Sequence, residues 1–211
     1  MNETRKGSAT RGALLSAGRQ LFAAHGYKGA SVRAITGAAQ ANLGAITYHF
    51  GSKAALYDAV LEGTLTPFRE RLRAAAKADG SPLDRVQSFV RAFFEHLYEH
   101  PELRGLMVRE LSTEEPIPEA VLGTFQANFG VLSRLIREGQ AAGEIREGDP
   151  MMLALATATQ PVALNLVRPV LEQAGTVSFE SPEVRDRLVD NAIRFVVEGL
   201  AARGGSEGGS S

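Results

Sequence analysis

Residues 31–57 read SVRAITGAAQANLGAITYHFGSKAALY, and their order of small, polar and aromatic side chains decides the fold of the front of the chain. Ser31 can cap a helix whose buried side carries Val32, Ile35, Ala38 and Ala39. The pattern breaks at Gln40-Ala41, Asn42 caps a third helix, and that helix ends near Phe50-Gly51. Within it only Ile46 and Phe50, four apart, face a core. Thr47, Tyr48 and His49 place a hydroxyl, a phenol and an imidazole on its other faces. Ser52 caps a fourth helix that starts at Lys53. A third helix with that inventory packs poorly in an interior, so its use lies at the surface.

Upstream, Leu14, Gly18, Leu21, Phe22 and His25 fall at helical spacing, and Gly26 ends that helix as a residue able to take positive φ. The front end therefore reads as three helices with a tight break between the second and third. Its charge is distinctive. Up to Lys53 the basic residues Arg5, Lys6, Arg11, Arg19, Lys28, Arg33 and Lys53 face one acid, Glu3, for a net +6. The remainder holds 16 basic and 23 acidic residues, so the overall −1 conceals a basic head on an acidic body. That split suits a head that binds a polyanion which the body does not touch.

The polyanion that fits a helix-turn-helix is duplex DNA, whose major groove is ~12 Å wide and shows a distinct donor and acceptor pattern at each base pair. Gly44 allows close backbone approach, Ala45 can meet a thymine methyl, and Thr47, Tyr48 and His49 offer polar atoms to base edges or phosphates. Lys53, and likewise Ser31 and Arg33, stand in first turns of helices, where free backbone N–H groups suit a phosphate. With Asn42 at the head of the third helix, these nine residues are the candidate DNA-binding set.

The rest of the chain also reads as helices. The fourth runs from Lys53 to about Lys77 with Leu56, Val60, Leu65, Phe68 and Leu72 as its apolar stripe and an irregularity at Pro67. Asp79-Gly80-Ser81-Pro82 is a joint, after which Val86, Phe89, Val90, Phe93, Phe94 and Leu97 repeat at helical spacing. A segment Leu103–Leu111 follows His100-Pro101, and residues 114–118 form a loop. A helix then runs from about Glu119 to Ala142, with Val121, Leu122, Phe125, Phe129, Leu132, Leu135 and Ile136 apolar. Gly148-Asp149-Pro150 caps an apolar helix, and Pro182–Arg203 is the last. These two late helices have more apolar surface than one small core covers, which points to a homodimer. Gly204–Ser211 reads as a disordered tail.

Several function classes are disfavoured. The chain has no cysteine, so disulfide and thiolate chemistry are out. There is no glycine-rich phosphate loop and no serine elbow, so no catalytic residues, no cofactor and no enzyme are expected. His96 and His100 are four apart, the spacing of zinc ligands, but no third ligand is evident and a solvated helix flank is the reading preferred, with no metal site. The N-terminus lacks the apolar core of a secretory signal. Gln160, Pro161, Asn165, Arg168 and Pro169 interrupt the apolar run Met151–Leu171, so it is read as a buried helix with no membrane role, in a cytoplasmic protein.

Phe22, Gly26, Ser31-Val32-Arg33-Ala34-Ile35, Ala39, Tyr48-His49-Phe50-Gly51-Ser52-Lys53 and Leu56-Tyr57 together resemble the DNA-binding signature of the TetR family of one-component bacterial repressors. The form of Asn42–Phe50 is similar to a CecR-like branch of that family. The specific likeness spans roughly residues 10–60. It implies an all-α dimer of about nine helices, an interface made by helices eight and nine, an effector pocket in the body, and phosphate contacts from Tyr48, His49 and Lys53. Three residues depart from the pattern. Gln40 stands where a turn glycine is usual, at a cost of ~1 kcal/mol if the backbone is left-handed. Thr36 replaces a small alanine and Thr47 a common tyrosine.

The expected organisation is a DNA-binding domain over residues 1–57 (core 10–53), a regulatory and dimerisation domain over 58–203, and the tail 204–211. In the body, Phe89, Phe93, Met107, Phe125, Phe129 and Met152 can line an apolar cavity, with Glu110, Gln160 and Asn165 as polar anchors for a small molecule. Pro161 breaks the helix ladder and frees a carbonyl beside Gln160. Tyr57 is expected to brace the head by packing. The function expected is a homodimeric, ligand-responsive transcriptional regulator, most often a repressor, on a palindromic operator. The alternative is an effector-independent helix-turn-helix protein controlled by a protein partner.

Overall fold

A computed structural model describes residues 2–112, 116–179 and 181–202. Among these are nine helices: α1 (Asn2–Gly29), α2 (Val32–Ala38), α3 (Ala45–Phe50), α4 (Lys53–Ala75), α5 (Pro82–Glu99), α6 (Pro101–Ser112), α7 (Glu119–Ala141), α8 (Pro150–Gln173) and α9 (Pro182–Leu200). The fold is all-α, as expected. Residues 114 and 115 of the expected loop, Arg203 and the tail 204–211 lie outside the described residues. One short antiparallel bridge, Ile145 with Ala201, ties the turn after α7 to the end of α9, with Arg146 N–H donating to the Leu200 carbonyl at 2.8 Å.

The chain divides into two compact units, Met1–Phe68 with Glu99–Thr124, and Arg69–Tyr98 with Phe125–Ser211. In the first, α1 packs against α2, α3 and α6, so the segment that follows His100-Pro101 joins the head in this unit. α1 breaks at Gly26, whose φ is 70° and where a Cβ would stand 2.9 Å from Arg109 Cδ. Any other residue meets both a left-handed backbone and a clash there. Ser31 caps α2 as expected, accepting from the Ala34 N–H at 3.0 Å. The buried face of α2 differs from expectation: Ile35 and Thr36 are buried, Val32 and Ala39 are half-buried, and Ala38 is exposed. The Thr36 hydroxyl donates to the Val32 carbonyl at 2.9 Å, which lets a polar residue take an inward position.

In the second unit α5 carries its expected stripe, with Val86, Phe89, Val90, Phe93, Phe94 and Leu97 all buried. His96 is buried too, correcting its reading as a solvated flank. Asp149 caps α8 by accepting from the Met151 N–H at 2.7 Å and the Met152 N–H at 3.3 Å. α8 itself corrects the expectation of burial. It is long and apolar enough to cross a membrane, yet only 33% of its most apolar stretch is buried. Met151, Met152, Leu155, Leu166, Val167 and Val170 (68% exposed) lie open, and on α9 Phe195 is 66% exposed. The remaining face of α9 is well packed through Val189, Ala192, Ile193, Val196 and Leu200.

Candidate nucleic-acid interface

The connection between α2 and α3 is built on one strained residue. Gln40 has φ 51°, the only non-glycine residue with positive φ among those described. The Gln40 N–H donates to the Gly37 carbonyl at 3.1 Å and the Ala41 N–H to the Thr36 carbonyl at 2.9 Å. That pair of bonds is a Schellman ending, whose left-handed position normally takes glycine. The strain expected from the sequence is present, at about 1 kcal/mol.

α3 has only six residues and ends at Gly51, φ 84°. Its N-cap position belongs to Gly44, without a side-chain cap, so Asn42 is not the cap expected; its carbonyl instead accepts from the Ala45 N–H at 3.0 Å. Tyr48 is 84% exposed and Thr47, Gly44 and Asn42 are exposed beside it. His49 is half-buried, with its ring edge-on to Tyr48 at 4.9 Å. Ile46 is buried, and Phe50 is half-buried beneath the Arg11 guanidinium, 4.9 Å from its ring centroid. Ala45, at 6% exposed, packs inward, so its expected thymine contact is withdrawn. Leu43, 62% exposed just ahead of the Gly44 N-cap of α3, is the aliphatic group that remains outside.

At the rim, Ser31 and Arg33 are exposed. Ser52 caps α4, its Oγ accepting from the Ala55 N–H at 3.0 Å. Lys53 follows in the first turn, its ammonium 4.4 Å from the centre of the Tyr27 ring. Tyr27 packs on Tyr57 at 5.2 Å, and Phe22 stands edge-on to Tyr57 at 4.7 Å. The Tyr57 hydroxyl donates to the buried Glu110 carboxylate of α6. Burial first, then that hydrogen bond and the carboxylate's charge, push the Tyr57 phenol far above its ordinary range, so it stays a donor. Tyr57 thus braces the head as expected, with a polar anchor the sequence did not announce. Next to Tyr57 and Glu110 is a cavity of about 400 Å3, also lined by Tyr27, Asp58 and Arg109.

The candidate ligand residues fall in both units. Glu110 and Met107 belong to the first unit, and Glu110 is already engaged by Tyr57. In the second unit Phe89, Phe93 and Phe129 are buried, whereas Phe125 and Met152 are exposed, correcting their place in a cavity lining. Phe125 stacks on Phe129 at 4.1 Å. Gln160 is half-buried. Asn165 is buried, its Nδ2 donates to the Pro161 carbonyl at 2.9 Å, and its Oδ1 has no partner.

A short helix with an exposed polar face, held behind a tight turn in the basic front end of the chain, has the form of a helix-turn-helix DNA-binding element. Residues 14–60 match the family model for bacterial regulatory proteins of the tetR family. Residues 82–196, more than half of the chain, match the tetracyclin repressor-like C-terminal domain. The chain belongs to the TetR family of transcriptional regulators. It is similar to the HTH-type transcriptional regulator RutR of Escherichia coli K12, 25% identical over 197 residues, covering 93% of this chain and 92% of RutR. It is also similar to the HTH-type transcriptional repressor SCO4008 of Streptomyces coelicolor, 27% identical over 195 residues, covering 89% of this chain and 95% of the repressor. The transcriptional regulator FadR from Bacillus subtilis, solved in complex with stearoyl-CoA, shares the fold at a TM-score of 0.74 and 17% identity, covering 89% of this chain and 97% of FadR. None of these relatives supports the CecR-like branch, so the resemblance stands at the level of the family. Regulators of this family bind operator DNA as dimers and respond to small molecules.

Proposed function

We propose that this protein is a cytoplasmic repressor that binds a palindromic operator as a homodimer, is released by a small molecule, and has no catalytic activity. In this reading Tyr48, Thr47 and His49 meet base edges and phosphates, while Asn42 and Gly44 admit the backbone of the turn. Ser31, Arg33 and Lys53 hold the flanking phosphates. Leu43 takes the apolar contact that the buried Ala45 cannot make. Two copies of α3 would occupy successive major grooves ~34–36 Å apart. The exposed apolar faces of α8 and α9 are the surface that a second copy covers.

The observation that carries this reading is the exposure of Tyr48, a large aromatic residue that no core covers, on a six-residue helix. For release, the buried Asn165 carbonyl oxygen without a partner is the best polar anchor, because a ligand donor can satisfy it. Near-complete release requires that the effector favour the DNA-incompetent state by ~5 kcal/mol.

The test is to select a duplex from random DNA with the purified protein and then measure Tyr48→Ala and Lys53→Ala on it. Each variant is expected to bind about tenfold more weakly. Neither side chain packs in the core, so folding stability should change by no more than about 0.5 kcal/mol. Unchanged affinity in both variants overturns the placement of the DNA surface.

A further inference from the structure

Among the described residues, Lys53 is held by an aromatic ring and by no carboxylate. Its ammonium lies 4.4 Å from the centre of the Tyr27 ring, and no ion pair engages it among the described residues. The difference matters chemically. A carboxylate would fix the lysine but cancel its charge, whereas a ring face attracts the cation through its quadrupole and accepts none of its three N–H donors. The side chain is ordered while its charge stays available to an anion.

The ring that holds it is itself fixed. Tyr27 follows the Gly26 break of α1, which turns the chain so that the ring packs on Tyr57 at 5.2 Å and lies 6.3 Å from Phe22. Phe22 is fully buried, and Tyr57 is tied through its hydroxyl to the buried Glu110. One side of Tyr27 is therefore clamped, while the residue remains 39% exposed. A lysine on a flexible four-carbon stem loses rotamer freedom when it meets a phosphate, and ordering it beforehand removes part of that cost.

We propose that Tyr27 is a positioning residue for operator binding: its ring, clamped by Tyr57 and Phe22, holds the Lys53 ammonium ready for a DNA phosphate without neutralising it. The proposal rests on the reading of Lys53 as a phosphate contact.

The test uses the full-length protein and its selected duplex, with affinity measured across a range of KCl concentrations. Tyr27→Leu removes the quadrupole and is expected to weaken binding about threefold. It should also lower the salt slope by a fraction of the ~0.9 that one phosphate contact contributes. Tyr27→Phe keeps the ring and should bind like the unaltered protein. In a Lys53→Ala background, Tyr27→Leu should cost nothing more. Pentafluorophenylalanine at position 27 preserves size and inverts the quadrupole, so it reports the same loss if Tyr27→Leu fails to fold. Equal losses from Tyr27→Leu with and without Lys53, or full affinity with the fluorinated ring, overturn the proposal alone. Unchanged affinity and slope in Lys53→Ala overturn the phosphate reading and the proposal with it.

Discussion

The two units leave surfaces of contrasting chemistry uncovered. In the first, the open face around α3 is made of Tyr48, Thr47, Asn42, Ser31 and Arg33, with Leu43 as its one large aliphatic group. In the second, the open faces of α8 and α9 are made of Met151, Leu155, Leu166, Val167, Val170 and Phe195. Exposed polar groups cost nothing in water, so a helix such as α3 is stable unbound and gains specificity only when a groove presents matching atoms. Exposed aliphatic groups cost about 25 cal/mol per Å2 left in water, so the second face is a standing drive toward association. In the proposed reading the contrast separates an occasional partner from a permanent one: DNA for the first face, another copy of the chain for the second.

The largest effect expected from breaking this contrast comes from Phe195→Asp. A carboxylate buried without a partner in a dimer interface should weaken dimerisation by about 3 kcal/mol or more, a hundredfold or greater, as read by sedimentation across a dilution series. A dimer of unaltered strength would remove α9 from the interface and leave its apolar face unexplained. A smaller effect is expected inside the second unit. Asn165→Leu deletes an amide whose oxygen has no partner and should leave stability unchanged or raise it by about 1 kcal/mol. A loss of more than about 1 kcal/mol in chemical denaturation would mean the amide is already satisfied, which sinks Asn165 as a ligand anchor. The smallest belongs to the turn behind α3. Gln40→Gly should relieve the left-handed strain and gain up to about 1 kcal/mol, seen as about 2–4 °C in melting temperature. A fall in melting temperature would show that the Gln40 side chain supplies more than the strain removes.

Where side-chain periodicity was long, the sequence was legible. The six apolar positions of α5 are all buried, because a stripe repeated over three turns fixes the helix phase. The caps at Ser31, Ser52 and Asp149 were legible for a different reason, since each is a local bond that needs no tertiary context. α2 and α3 are too short to fix their own phase, and alanine is nearly indifferent to burial, so Ala38 turned outward and Ala45 inward. Tertiary pairings were the least visible. Tyr27 beside Lys53 and Glu110 beneath Tyr57 join residues from different helices, and such pairings leave no periodic mark in the sequence. The unequal burial of the expected cavity lining has the same origin, because an aromatic residue on a helix carries no mark of how far it is covered, as Phe129 is and Phe125 is not.

The brevity of α3 limits how much sequence a single subunit can read. Six residues rise about 9 Å along the helix axis, and with base pairs stacked about 3.4 Å apart that length spans only about three of them. So short a word recurs throughout any genome. In the proposed reading a second copy reads the same word in inverted orientation, which multiplies the information without enlarging the reader, and the wide apolar faces of α8 and α9 are the surfaces that bring that copy in.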